Sequence, residues 1–440
     1  MTPAAGLPDR TDMPPLATPA VWAGVEPSFL TVAGSRRDQL AETGHDARLS
    51  DLDLLAELGV RAVRYPVLWG RGGQETDWEW AEARLRRLAQ LGIEPIVGLL
   101  HHGWGPDGVD PLDRDYPARF AAYAVEVARR FPQIRTFLPI NEPLTTARFA
   151  GLYGWWDPGV RDDAVFARLI VAQCLAIREA TRALRRWDPS IRTIVNEDAA
   201  QTCGTPELAS TVSLYNDRRW LTFDLLTGRV DRGHPLWDTL AAVPGIAEQV
   251  ASLTDDPEWP DVLGVDHYVT SDRFLDHRLD LYPSLVTSTD IEHGFIDVEL
   301  ARVGGFEVDG FWRSIRETWD RYHVPLALTE VHLGGNDVDE TAWWAEAWHD
   351  AVAATHEGIP VEGVTTWATF GSCGWDKLMC TDAGRYLPGA FDASRGRPVL
   401  TPLGKAVQDT AAGHPPPPLA VGWWRQPHRI IFPSGNAAAA

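Results

Sequence analysis

Residues 136–143 read TFLPINEP and residues 324–330 read VPLALTE. Each is an apolar run of strand length with a glutamate near its carboxyl end, Glu142 in the first and Glu330 in the second. A strand of this kind is buried on both faces and delivers its polar end to one rim of a parallel sheet. In barrel enzymes that rim carries the active site. Two carboxylates meeting there are the minimum equipment for cleaving a glycosidic bond.

Working outward, similar runs recur at 21–26, 62–69, 93–100, 191–198, 261–268 and 364–370. Helical patterns lie between them at 77–91, 116–131, 166–187, 311–322 and 341–354. In the first of these Asp77 is placed to cap the start. Ala81, Leu85, Leu88 and Leu91 fall near helical spacing, and Gly92 closes the end. Strands alternating with helices, without a change of composition to mark a second domain, predict an α/β fold. The economical form is a single (β/α)8 TIM barrel with extended rim loops over 21–412, and a doubly wound open sheet is the competitor. Residues 1–20, rich in Pro and Ala, predict a flexible N-terminal arm. Residues 413–440 predict a Pro-rich tail, GHPPPP and then GWWRQPHRIIFPSG, whose apolar strap packs on its own domain.

Composition narrows the partners. The 440 residues carry 61 Asp and Glu against 40 Lys and Arg, a net charge of −21, which argues against nucleic acid and suits a neutral or cationic ligand. There is no apolar stretch of spanning length and no signal-like apolar region in residues 1–20, so no membrane association is expected. Cys174, Cys203, Cys373 and Cys380 show no CxxC spacing, which speaks against structural zinc and a disulfide framework and suits the cytoplasm. Neither GxGxxG nor GxxxxGK[ST] occurs, so no nucleotide cofactor is expected, nor any metal. Composition carries no signal for oligomeric state. The 20 Trp invite two readings: packing, which covers most of them, and stacking of indole faces on sugar rings.

Six short motifs, taken in order, resemble glycoside hydrolase family 1. LPINEP at 138–143 resembles its Asn-Glu-Pro signature, and LTE at 328–330 its second glutamate motif. RYPVLW at 64–69 is similar to the arginine strand, Leu100–His101 to the strand-three histidine, GVDHY at 264–268 to a Gly-Ile-Asn-Tyr-Tyr run, and WATFGSCGW at 367–375 to a paired-tryptophan segment. The resemblance implies a retaining β-glycosidase with Glu330 as nucleophile and Glu142 as acid/base. It implies that Arg64 and Tyr268 hold Glu330 ionised, that Asn141 and His101 bind glycone hydroxyls, and that Trp367 and Trp375 serve the sugar.

Each residue also has a plain structural alternative. A strand-end glutamate often caps a helix or pairs with an arginine, and Arg64 suits a buried salt bridge. His101 and His102 are adjacent, so strand alternation points them to opposite faces and away from a shared metal. Glu197 and Asp198 end a strand and are expected to cap the next helix rather than line the cleft. Trp104, Trp155, Trp156 and Trp375 fall in rim loops, where packing is the default.

Departures from the family pattern gather around the glycone. Gly374 stands where the family has a sugar-gripping glutamate, with Asp376 as a substitute two places on. Asp266 replaces an asparagine, His267 a tyrosine and His102 a tryptophan, and Glu26 is the candidate for an early glutamine. The expectation is a retaining O-glycoside hydrolase acting on a β-linked sugar, with transfer to an alcohol left open. A catalytically silent carbohydrate-binding barrel is the alternative. An aldolase or isomerase would show a strand-end lysine or a metal-ligand cluster, and the sequence shows neither.

Overall fold

In the computed structural model, residues 18–71, 76–381, 384–414 and 421–432 are described. The arm expected over 1–20 lies, up to residue 17, outside the described residues, as do residues 415–420 and 433–440 of the tail. Eight parallel strands close on themselves in the order 1-8-7-6-5-4-3-2. They are β1 (Ala20–Gly24), β2 (Ala62–Pro66), β3 (Glu94–His101), β4 (Thr136–Asn141), β5 (Arg192–Asp198), β6 (Val262–Asp266), β7 (Leu326–Val331) and β8 (Val361–Thr366). The expected barrel is therefore the fold, and the open sheet is excluded. The eighth strand begins three residues before the apolar run that predicted it.

The helices follow from local sequence. Helix α1 (Trp78–Leu91) starts where Asp77 Oδ1 accepts from the Trp80 N–H at 3.0 Å, and it stops at Gly92, whose φ of +71° is left-handed. Helices α2 (Tyr116–Arg130) and α3 (Asp163–Trp187) pack against each other outside β4, while α4 (Gly310–Tyr322) and α5 (Asp337–His356) flank β7. Sequence periodicity missed the short helix Asp51–Leu58, the four between β5 and β6, and Pro402–Ala411. Each is too short or too weakly patterned to announce itself.

Two additions surround the barrel. A three-stranded sheet of Ile296–Glu299, Arg273–Asp276 and Thr202–Gly204 buries Phe274, Tyr282, Ile296 and Val298 in a small core of its own. The described strap, 421–432, packs on its own chain. Trp424 is buried edge-on against Trp343, with ring centroids 5.3 Å apart, and donates Nε1–H to Glu346 at 2.6 Å. Trp22, Trp69, Trp220, Trp343, Trp344, Trp348 and Trp424 are all buried in the cores, so packing accounts for much of the Trp excess. Among the described residues no helix is long and apolar enough to cross a membrane, and all four cysteines are free.

Candidate active site

The carboxyl ends of the strands bring most of the candidate residues to one mouth. His101 ends β3, Asn141 ends β4 with Glu142 next, Asp266 ends β6, and Glu330 is the penultimate residue of β7. Trp367 follows β8 directly. Arg64 and His101 share with Trp367 the lining of one cavity. Oxygens of Glu142, Asp266 and Glu330 lie within 4.8 Å of one another, and all three carboxylates are buried.

A β-bulge aims the key residue of β7. Leu328 pairs with Val265 and Glu330 with Asp266, so two residues of β7 span one step of β6. Both Thr329 and Glu330 thereby reach inward: Thr329 Oγ1 donates to Asp266 Oδ1, and Glu330 meets Arg64. Arg64 Nη1 donates to Glu330 Oε1 at 3.0 Å and to the Thr329 carbonyl at 2.7 Å, while Nη2 donates to Asn141 Oδ1 at 2.6 Å. The Tyr268 hydroxyl donates to Glu330 Oε2. Two close approaches require glycine. A Cβ on Gly24 would stand 2.3 Å from Trp367 Cε3, and one on Gly264 would stand 2.5 Å from Asn196 Cβ and Thr329 Oγ1.

The backbone is strained where the acid/base candidate sits. Glu142 has φ +41°, a left-handed conformation rare outside glycine, and it opens the short helix Pro143–Ala147. His102 has φ +61° and so departs from the alternation expected of it. The two histidine rings lie 4.6 Å apart at right angles, and both Nε2 atoms face Asn141 Nδ2, at 3.2 and 3.3 Å. The reading that put them on opposite faces is corrected: the strand ends at His101, and the left-handed turn swings His102 back toward the mouth.

No protein-family model matches the chain. In sequence it is 21% identical over 366 residues to Beta-glucosidase A of Thermotoga maritima, spanning 74% of this chain and 77% of that one. Its fold matches a family 1 β-glucosidase of the same organism at TM-score 0.72 and 18% identity, covering 91% of this chain and 98% of that one. Complexes of the Thermotoga maritima β-glucosidase with cyclophellitol (TM-score 0.70, 17% identity, 91% and 98% covered) and with deoxynojirimycin (0.69, 16%, 89% and 97%) match similarly.

The fold is that of the family 1 β-glucosidases.

In this barrel the remaining candidates divide. Glu26, two residues past β1, is buried 3.8 Å from His101 Nε2 and accepts from the Ser28 N–H at 2.8 Å. Trp375 sits beside them, its ring 5.5 Å from that of His102 and its buried Nε1 without a hydrogen-bond partner. Asp376 is engaged in its own loop instead, accepting from the Arg385 N–H at 3.0 Å. Trp367 is stacked parallel to His101 at 5.7 Å and lies under the Arg64 guanidinium at 4.3 Å. Trp156 is buried against His102 and Phe149, and Trp104 donates to the Asp157 carbonyl. Glu197 does cap a helix, but the one after β4: its Oε1 accepts from the Leu144 N–H at 2.5 Å and from Thr222 Oγ1 at 2.6 Å. Asp198 accepts from Ser271 Oγ at 2.7 Å.

Asn196 is the residue that motif reading missed. Its Nδ2 donates to Asn141 Oδ1 at 2.7 Å and to Asp266 Oδ2 at 2.5 Å, tying β4 to β6 beneath the carboxylates. The signal was present: strand alternation sends Asn196 inward if Glu197 faces a helix.

Electrostatics separates the two glutamates. Burial, then the charge of Glu330 and then that of Asp266, push Glu142 well above the ordinary carboxylate range, and every leading influence on it is upward. Burial and Asp266 also raise Glu330, but Arg64 and Tyr268 pull it back. A proton shared by the cluster therefore resides on Glu142. Burial lowers both histidines, His102 to about 3 and His101 well below its usual value, so each is a neutral hydrogen-bonding group. The three carboxylates have the spacing of a divalent-cation site, but hydrogen bonds from Arg64, Tyr268, Thr329 and Asn196 already occupy two of them. Such a set fits proton transfer better than metal ligation.

Proposed function

We propose that this chain is a retaining β-glycosidase in which Glu330 is the nucleophile and Glu142 the acid/base. The observation that carries the reading is the short gap between them, with oxygens within 4.8 Å, at the carboxyl rim of the barrel. A pair that must admit a water between its members stands about 6.5–9.5 Å apart, whereas a retaining pair stands about 5–5.5 Å apart. Of the two glutamates, Glu330 is the one that accepts from Arg64 and Tyr268, which supports its role as the ionised partner.

In the first step a Glu330 oxygen bonds to the anomeric carbon as the bond to the leaving oxygen breaks. Glu142 passes its proton to that oxygen. In the second step water attacks the same carbon, Glu330 departs, and Glu142 takes the water's proton. Asn141 is held by Arg64 and Asn196 through its oxygen, which leaves its amide directed at His101 and His102, where a sugar 2-hydroxyl can compete for it. Neutral His101 and the buried carboxylate of Glu26 supply further hydroxyl partners, and Trp367 and Trp375 supply apolar faces. The departures from the family pattern at Gly374, Asp266 and His102 support an accepted sugar whose outer hydroxyls differ from those of a terminal glucose.

Acceptor choice depends on what reaches the intermediate. The loop after Glu142 carries Phe149, Tyr153, Trp155 and Trp156 in mutual contact. An aromatic surface there favours an alcohol as acceptor beside water, which supports transglycosylation as a side reaction. The test is incubation with a panel of 2-deoxy-2-fluoro β-glycosides followed by mass spectrometry of peptides. An adduct on Glu330 names the nucleophile and the sugar together. No adduct from any sugar, or one elsewhere, removes the assignment.

A further inference from the structure

Asp266 is a third carboxylate in a site whose chemistry needs two. It ends β6, is fully enclosed, and offers an oxygen within 4.8 Å of both Glu142 and Glu330. Thr329 Oγ1 donates to its Oδ1 and Asn196 Nδ2 to its Oδ2, each at 2.5 Å. Glu142 completes the set, with a carboxyl oxygen within 4.8 Å of one on Asp266. Two buried carboxyl groups this close favour a state in which one of them carries a proton. Donors already serve Asp266 and Glu330, and among the described residues no donor serves the Glu142 carboxyl. The proton therefore belongs to Glu142, and Asp266 faces it as an anion.

We propose that Asp266 is a positioning residue that holds the proton of Glu142 and keeps Glu142 basic after Glu330 has been esterified, shifting the working range to higher pH. The inference rests on the assignment of Glu142 and Glu330 made above. In a site with two carboxylates, the proton affinity of the acid/base falls when the nucleophile loses its charge in the ester. Here a second anion persists. While the ester stands, Asp266 still faces Glu142 with its charge offset only in part by Arg64, so Glu142 remains an acceptor for the proton that the incoming water releases. Glu142 also faces Glu197 and Asp198 from β5, Tyr268 from beyond β6, His102 from beyond β3 and Arg148 from the segment after its own helix. Asp266 has an oxygen within 4.8 Å of Glu142 and keeps its charge when Glu330 is esterified. His102 is neutral, and Arg64 is committed to Glu330, Asn141 and the Thr329 carbonyl.

Asp266→Asn tests this, since it keeps the shape and removes the charge. Asn196 Oδ1 has no partner and is available to accept from an amide at that position, so the fold tolerates the change. The readout is the alkaline limb of kcat/KM on the p-nitrophenyl β-glycoside that turns over fastest, with fluoroglycoside labelling of Glu330 run beside it. The limb is expected to move to lower pH by about one unit, with labelling retained. A limb unmoved within about 0.3 unit in a variant that still labels overturns the role of Asp266. Failure of the unsubstituted protein to label overturns the glycosidase assignment instead, and this inference with it. Should Asp266→Asn not fold, Thr329→Val decides alone. It removes one donor, makes Asp266 more basic and is expected to move the limb upward, and an unmoved limb again overturns the proposal.

Discussion

Arg64 Nη1 and Glu330 Oε1 stand 3.0 Å apart, joining β2 to β7 across the barrel mouth, and the second nitrogen of the same guanidinium reaches Asn141. One planar fork thus sets the charge of one residue and the orientation of another. Lysine offers a single ammonium and cannot serve both directions. Arg64→Lys is expected to lower kcat/KM on the order of 10²–10³-fold, the usual loss for one preorganised donor. Steady-state kinetics with a circular dichroism control checks it, and a loss below tenfold in a folded variant removes Arg64 from the machinery.

Tyr268→Phe isolates the other donor to Glu330. The hydroxyl pulls the proton affinity of that carboxylate down. Without it Glu330 holds a proton to higher pH, and only the ionised form attacks. The acidic limb of kcat/KM is expected to rise by about one unit. A limb that stays put while kcat falls would make the contact purely geometric.

The barrel was legible because its strands are buried on both faces. Runs such as TFLPIN and VPLALT have no other stable use, and their polar ends sort to one rim. What escaped depends on tertiary context. The strands Thr202–Gly204 and Arg273–Asp276 exist only because they pair with each other and with Ile296–Glu299. The bulge at Thr329 leaves no mark in the sequence, yet it lets two consecutive side chains face one cleft. His102 failed for a related reason: alternation holds inside a strand and lapses at its last residue. Glu197 was read correctly as a capping type but assigned to the wrong helix, since its partner Leu144 lies 53 residues away in the chain.

Buried titratable groups outside the catalytic trio set a pH window for stability. Burial holds His102 at about 3 and His267 and His332 at about 4, each below the usual 6.5. Their contribution is complete above about pH 6.5 and is lost as pH falls, because the unfolded chain takes up protons that the folded one refuses. Glu197 and Glu340 are raised to about 8, and Asp198 and Asp350 to about 7, by burial. Their contribution is complete below the unfolded value near 4 and is lost as pH rises toward 8. The melting temperature is therefore expected to peak between about pH 4.5 and 6.5 and to fall on both sides. A curve still rising at pH 8 would contradict the burial of these carboxyls.

The strap supplies the last prediction. Trp424 fills a slot beside Trp343, donates to Glu346, and has the Arg302 guanidinium 3.6 Å over its neighbour Trp423. Its main chain continues to a bridge between Phe432 and Val303 at the edge of the satellite core, so the segment clamps α5 to that small sheet. Trp424→Ala leaves a cavity that neither partner can fill, because Trp343 is itself wedged against Phe311 and the Trp343 and Trp424 rings meet edge to face. Truncation of a buried tryptophan typically costs about 3–5 kcal/mol. At an unfolding entropy of about 2.1 cal/mol/K per residue, a chain of this length loses about 0.9 kcal/mol per degree, so the melting temperature should drop by roughly 3–5 °C. Activity at 25 °C should stay within about twofold, since the described strap residues Trp423 and Trp424 pack on Arg302, Trp343 and Glu346 rather than on the catalytic glutamates. Calorimetry of this variant, and of a chain ending at residue 414, separates the possibilities. Equal drops in both place the stabilisation at Trp424, and an unchanged melting temperature in either would show that the strap is not part of the cooperative unit.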